Sequence, residues 1–420
     1  MKNKNFCKAS SLYHKITDGT HDSPKSVVSG KYLVTSKNIK NNCLDLSLSN
    51  FISIDDYNRI IQRSKVDQWD VIISMIGEYC GYTYIEKNFN TDYAIKNVGL
   101  FKTNNEIEAY WLSYYLKSDY GKYYLKQAKS GSSQPYISLG SLRELPIYNP
   151  SQKNKFAIVS VLKSLDDKIE LNNQINTELE AMAKTLYDYW FVQFDFPDEN
   201  GKPYKSSGGK MVFNEVLKRK IPDGWEFVEI ETLLRKNESA KKVNAKDYLL
   251  EGNLPVIDQS TDFIAGFTND LSYKIIYKDE PAIIFGDHTR ILKLINFDFA
   301  RGADGTQVIY SNNIRMPQYL FFYSLKNIDL SNYGYARHFK FLKSSKILLP
   351  SKEQAKLFND KVKYFYKKIV VNQKQNQELG QLRDWLLPML MNGQVRVGHS
   401  DAVVSGLYMV AEEKVVYKKI

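Results

Sequence analysis

The sequence predicts a mixed fold, α/β of the α+β kind: two globular modules joined by two long helices that pair as an antiparallel coiled coil, with an internal pseudo-two-fold repeat. Three observations predict it. Pro150, Ser151, Lys168, Ile169, Asn172, Asn176, Glu178, Leu179 and Leu186 recur, without a gap, 200 residues on as Pro350, Ser351, Lys368, Ile369, Asn372, Asn376, Glu378, Leu379 and Leu386. Both copies space their apolar residues in alternating steps of four and three, the pattern of a coiled-coil seam. The stretches that precede the copies hold short β-rich runs and turns, and their interiors do not repeat.

Residues 1–148 form the first module, with strand candidates Val71-Ile72-Ile73-Ser74-Met75-Ile76 and Tyr82-Thr83-Tyr84-Ile85 and an aromatic helix candidate from Ile107 to Lys126. Residues 149–195 form the first long helix, with its seam on Ile158, Leu162, Leu165, Ile169, Asn172, Asn176, Leu179, Ala183 and Leu186. Residues 196–222 read as a connector, because Asp198-Glu199-Asn200-Gly201-Lys202-Pro203 and Ser206-Ser207-Gly208-Gly209 are rich in turn formers. Residues 223–347 form the second module, with a strand at Pro281-Ala282-Ile283-Ile284-Phe285. Residues 348–393 form the second long helix, with its seam on Phe358, Val362, Phe365, Ile369, Asn372, Asn376, Leu379 and Leu386, broken where Arg383 takes an apolar place. In the tail 394–420, Val403-Val404 and Val415-Val416-Tyr417 read as short strands without an assigned role.

Each long helix opens after a proline and a serine, whose missing amide and hydroxyl suit a helix start. The second is expected to stop near Gly393, with Pro388 kinking its last turns. At about 1.5 Å per residue, some 40 residues make a rod of roughly 60 Å. Asn172, Asn176, Asn372 and Asn376 weaken the seam but fix its register. An antiparallel pairing is favoured because a parallel one would crowd the two modules together.

At 420 residues with 43% hydrophobic and 13% aromatic content, the chain has room for two to three folded domains. It carries no apolar run of membrane-spanning length, so a soluble, cytoplasmic protein is expected. Cys7, Cys43 and Cys80 lie too far apart for a zinc site or a disulfide framework, and the five histidines, His14, His21, His288, His338 and His399, never pair at metal spacing. A net charge of +11 points to a polyanionic partner, and thirty tyrosines among the cations favour nucleic acid.

The run Leu165-Asp166-Asp167-Lys168-Ile169-Glu170-Leu171-Asn172-Asn173, with Leu179-Glu180-Ala181-Met182-Ala183 and Trp190-Phe191, resembles the first conserved region of the specificity subunits of Type I restriction-modification systems. Leu382-Arg383-Asp384-Trp385-Leu386-Leu387-Pro388 with Gly393 is similar to the second. Asp18-Gly19-Thr20-His21, Gly201-Lys202-Pro203-Tyr204, Pro222-Asp223-Gly224-Trp225 and Gly286-Asp287-His288-Thr289 follow in that family's order, so the likeness covers residues 5 to about 397. The first module departs from it by lacking the Pro-x-Gly-Trp lead. The resemblance implies two target-recognition domains, each reading one half of a split, asymmetric double-stranded DNA site. It implies helices that set the gap and dock methyltransferase (modification) subunits, beside restriction subunits that act as motor and nuclease. S-adenosylmethionine, ATP and magnesium would belong to those partners, and no cofactor or metal is expected here.

The chain itself is not expected to be an enzyme. It lacks the Asn/Asp-Pro-Pro-aromatic motif of an adenine methyltransferase, and Gly208-Gly209-Lys210-Met211 misplaces the upstream glycine and puts Met211 where a phosphate loop needs Ser or Thr. The candidate DNA contacts are loop cations flanked by small polar groups. They are Lys25, Lys37, Lys129 and Arg143 in the first module, with Asn38 and Gln134 able to take adenine, and His288, Arg290, Arg301, Arg337, His338 and Lys340 in the second. Tyr136 and Tyr335 are placed to pack each module onto its helix. The rival reading is a coiled-coil scaffold that binds protein without DNA specificity.

Overall fold

The computed structural model describes residues 5–40, 43–47, 49–131, 134–236, 241–334 and 337–397. Tyr335, His399 and the tail runs Val403-Val404 and Val415-Val416-Tyr417 lie outside them. The chain divides into two compact units, Met1–Ile169 with Gln377–Ile420, and Glu170–Asn376. Both divisions fall inside the long helices rather than at their starts, so each unit holds one module and half of each helix.

In the first unit, strands Ile16–Asp18, Val98–Phe101, Val71–Ser74 and Thr83–Ile85 form an antiparallel sheet in that order. A second sheet sets Lys31–Val34 between Asn50–Ile52, antiparallel, and Tyr93–Ile95, parallel. Phe6–Lys8 pairs with Pro146–Tyr148 and ties the module's start to the segment that enters the long helix. The aromatic helix candidate is two helices, Glu106–Lys117 and Asp119–Ala128. They part at Ser118, whose hydroxyl accepts from the Gly121 amide as an N-cap. Gly121 permits the close turn: a Cβ there would stand 2.1 Å from the Tyr115 carbonyl oxygen.

The second unit repeats this plan on unrelated sequence. Ala282–Gly286 lies between Leu292–Ile295 and Thr306–Ile309, and a Leu234–Ser311 bridge supplies the outer edge. Leu254–Ile257 runs parallel to Phe299–Arg301 and antiparallel to Gly266–Thr268. Glu226–Glu229 pairs with Lys346–Leu349 just ahead of the second long helix. Helix Gln318–Lys326 stands where Glu106–Lys117 stands in the first unit. The connector holds a hairpin that turn composition alone does not specify, Met211–Asn214 with Arg219–Pro222. Behind it Trp225 stacks on Phe196 and donates its indole N–H to Gln354 at 3.0 Å.

The first long helix spans Gln152–Tyr187 and passes into a π-helical segment, Asp188–Val192. The second spans Lys352–Asn392, runs through Pro388, and ends at Gly393, whose φ of +73° is the left-handed C-terminal stop that glycine supplies. Pairing is antiparallel in each unit. In the second, the Asn172 amide donates to Asn376 Oδ1 at 2.8 Å and Asn372 donates to Asn176 Oδ1 at 2.8 Å. In the first, Val159 and Leu162 share a core with Leu387, Leu390 and Met391, and Arg383 reaches Asp166 at 2.7 Å. Near the modules the buried position moves by one residue from the heptad expectation, to Val159, Tyr187, Tyr366 and Leu387. A straight helix of 3.6 residues per turn drifts about 20° per heptad from a 3.5 repeat, and the module supplies the apolar surface that receives the drifted residue.

Candidate nucleic-acid interface

In the second module three loops converge where strands end. Gln259 lies at their centre, donating its amide to the Asp304 carbonyl at 2.9 Å and accepting the His288 amide at 3.0 Å. Two glycines make room for it, since a Cβ at Gly286 would stand 2.9 Å from Gln259 Cβ and one at Gly305 would stand 2.6 Å from its Nε2. Buried Lys293 holds the neighbouring loop from below, donating to the carbonyls of Asp258 at 2.8 Å and Asp262 at 2.5 Å. Burial pushes the Lys293 ammonium below the usual lysine range.

Asp287 joins this group to the start of helix His338–Ser344. Its carboxylate accepts the Phe339 amide at 2.8 Å, its carbonyl accepts the His338 amide at 2.8 Å, and its own amide donates to Gly305. Around this frame stand Lys242, Arg301, Arg337 and the Asp304 carboxylate. The Lys242 ion pair, with Arg301 and Arg337 nearby, holds Asp304 below the usual carboxylate range. Arg290, at φ +62°, donates to the Leu330 carbonyl at 3.2 Å and keeps an exposed side chain. The structure therefore gathers His288, Arg290, Arg301 and Arg337, and places exposed Lys340 in the helix behind them.

His338 has a different role. It is 3% exposed, and both ring nitrogens face carbonyl oxygens, Nδ1 that of Asp287 at 3.0 Å and Nε2 those of Tyr333 at 2.9 Å and Gly334 at 3.1 Å. It staples two loops and is too buried to touch a duplex, which revises the expectation of a DNA contact.

The first module presents two groups. Asn97, at φ +55°, gathers one: its side-chain oxygen faces His21 Nδ1 at 3.1 Å, its carbonyl accepts the Ser36 hydroxyl at 3.3 Å, and neighbouring Lys96 reaches Ser23 at 2.5 Å. These contacts bring the loops of exposed Lys25 and Lys37 together. Asn38 is a correction. It is 3% exposed and its amide is consumed by Thr35, Asp45 and Ser49, so it builds the loop and has no donor left for adenine. The other group holds exposed Lys129 and Gln134, where the Gly77 amide donates to the Pro135 carbonyl and Ile76 bridges to Tyr136. Arg143 joins neither, because its guanidinium donates to the Ile16 carbonyl at 3.0 Å. Tyr136 is half exposed and pairs with Ser130 in a short strand instead of packing onto a long helix.

Sequence reading missed Gln259, Lys242 and Asp304. The available signal was the glycines at 286, 302 and 305, which mark a close approach whose partner lies far along the chain. Among the described residues no cluster of three His, Cys, Asp or Glu side chains could hold a metal, and no helix is long and apolar enough to cross a membrane. The arrangement suits binding: exposed cations, with half-buried Arg301 ending strand Phe299–Arg301, on rigid, small-residue loops whose backbone is held from below.

Residues 15–181 match the family model described as Type I restriction modification DNA specificity domain. The Type I restriction enzyme MjaIX specificity subunit of Methanocaldococcus jannaschii is 28% identical over 344 residues, 76% of each chain. The Type I restriction enzyme HindI specificity subunit of Haemophilus influenzae is 23% identical over 343 residues, 64% of this chain and 73% of that one. Among solved structures, the Type I restriction-modification system S subunit of M. genitalium superposes with a TM-score of 0.52 at 16% identity, over 93% of this chain and 97% of that one. That likeness supports the architecture of two modules and two long helices.

Proposed function

We propose that this chain, which belongs to the specificity subunits of Type I restriction-modification systems, reads a split DNA site, one half with each module. One observation carries the proposal. The two modules share the order of their central strands while their exposed loops differ in sequence and chemistry, and the helices that bear them repeat their asparagines and part of their seam in register. A common frame with unlike loops is what reading two unlike half-sites requires. Lys25, Lys37, Lys129 and Gln134 in one module, and His288, Arg290, Arg301, Arg337 and Lys340 in the other, supply salt-dependent phosphate contacts and base contacts.

In this reading the paired helices set the gap between half-sites and dock methyltransferase subunits, and motor and nuclease subunits complete the assembly. The chain does no bond chemistry. S-adenosylmethionine, ATP and magnesium belong to the partners, and the complex works in the cytoplasm.

The test is the host's adenine methylation pattern, read by single-molecule sequencing with and without this chain. A two-part motif that disappears on deletion is expected. A methylation pattern indifferent to the deletion overturns the reading.

A further inference from the structure

The two modules are held to their helices by different chemistry, although the joints occupy equivalent places. In the first unit Lys155, 3% exposed, meets both carboxylate oxygens of Glu108 at 2.8 Å. Further along the same helix, Asp166 accepts the Tyr114 hydroxyl at 2.6 Å on one oxygen and Arg383 at 2.7 Å on the other. Lys163 lies between, 3.4 Å from Glu106 and over the Tyr110 ring. Asp166 thus ties together three elements: the module helix through Tyr114, its own long helix, and the partner helix through Arg383.

The positions 200 residues away in the repeat lose the buried part of this charge, while Lys163 is kept as Lys363, which pairs with Asp279. Lys155 corresponds to Ala355, Asp166 to Tyr366, and Arg383 to Ala183. In the second unit both alanines are fully buried, and Tyr366 meets Tyr323 hydroxyl to hydroxyl at 3.1 Å and lies 5.2 Å from the Tyr319 ring. One joint is therefore packed aromatic surface at its buried centre, which tolerates small slides, with the ion pairs of Lys363 and Lys367 to Asp279 at its exposed rim. The other is a set of directional, charge-assisted bonds, which do not.

We propose that Glu108–Lys155 and Tyr114–Asp166–Arg383 form a polar clasp that fixes the pose of the first module on its helices, and so acts as a positioning device for the half-site spacing the protein accepts. The inference rests on the split-site reading above. The clasp touches no DNA, so loosening it leaves the bases read unchanged and widens the spacing tolerated.

The experiment replaces Glu108→Gln with Lys155→Met together, so that no charge is left buried alone, and separately Asp166→Asn. Each chain is expressed in its host with its modification subunits, and methylated motifs are sequenced. The ratio of methylation at spacers one base pair longer or shorter to that at the native spacer is expected to rise about tenfold, the effect of losing roughly 1.4 kcal/mol of discrimination. Half-site bases should stay the same, and Tyr366→Phe in the second unit should leave the ratio unmoved. An even fall in methylation at one unchanged spacer, with thermal unfolding showing a folded chain, overturns the clasp. Should the double variant not fold, the near-isosteric Asp166→Asn decides alone. Absence of any two-part motif in the wild type overturns the split-site reading itself, and is seen before a variant is made.

Discussion

Replacing Asn372 with leucine tests whether the asparagines in the seam carry stability or only register. Asn372 and Asn176 are 1% and 9% exposed, and Asn372 donates to Asn176 Oδ1 at 2.8 Å. With a leucine side chain opposite, the Asn176 oxygen keeps its burial and loses this donor. A buried acceptor left unsatisfied costs about 1–3 kcal/mol, whereas replacing both partners with apolar groups of similar shape is nearly neutral or stabilising. Asn372→Leu should therefore cost about 2 kcal/mol, and Asn176→Leu with Asn372→Leu about 0 or less. For a unit of roughly 200 residues, 1 kcal/mol moves the midpoint by about 2–4 °C, so the single variant should melt about 4–8 °C lower and the double variant near the wild type. Differential scanning calorimetry of the wild type, the two single variants and the double variant closes the double-mutant cycle. Additive losses would refute the reasoning, since they would mean that the two amides act independently.

Two further perturbations follow from charge. Burial pushes the Lys117 ammonium down to about 8, so the unfolded chain binds the extra proton between about pH 8 and pH 10.5 and stability should rise with pH across that window. Burial pushes the neighbouring Tyr114 and Tyr115 hydroxyls up, which removes stability above about pH 10, so the rise is to be read between about pH 8 and 9.5. Lys117→Met should abolish the rise and, with allowance for a part-exposed ammonium, add roughly 1–2 kcal/mol at pH 7 by thermal melts; a variant that keeps the rise would refute the assignment. Asp304→Asn should strengthen binding to random duplex and steepen the log affinity against log salt slope by about one, while Arg337→Ala should make it shallower by about one. Fluorescence anisotropy of the assembled complex at several salt concentrations measures both, and unchanged slopes would remove this cluster from the interface.

The long helices were legible because their code is local and periodic. A four-and-three spacing names the buried face without reference to anything distant, and the structure departs from it only by one-residue shifts such as Leu386 to Leu387. The connector hairpin was not legible, because Met211–Asn214 and Arg219–Pro222 are short and half exposed and show no clear alternation of apolar and polar residues. The loops were legible in composition and not in role. Asn38 and His338 have the residue types that read bases, yet both are buried and saturated by partners, and burial depends on residues the local sequence does not name. Gln259 shows the reverse: nothing beside it in sequence marks it, and its importance comes from loops around residues 286 and 304 that fold back on it.

The repeat constrains how the two halves could diverge. A duplicated helix pair begins with both modules held by the same residues, and any change in one joint must leave its own contacts satisfied. Lys155 is tolerable at 3% exposure because Glu108 answers it with two oxygens, and part-exposed Arg383 sits in the seam answered by Asp166 and Asp384. Placed against alanines such as Ala355 and Ala183, either acid would be a largely buried carboxylate without its counter-charge, so the exchanges at 155, 166 and 383 depend on one another and on Glu108 and Tyr114 in the module. Exposed loop residues carry no such obligation: Lys25, Lys37 and Lys340 face solvent and can be replaced singly. The helices and joints are therefore restricted to compensated changes, while the loops that differ between the modules are free to vary one residue at a time, and it is in those loops that a difference in DNA sequence read would reside.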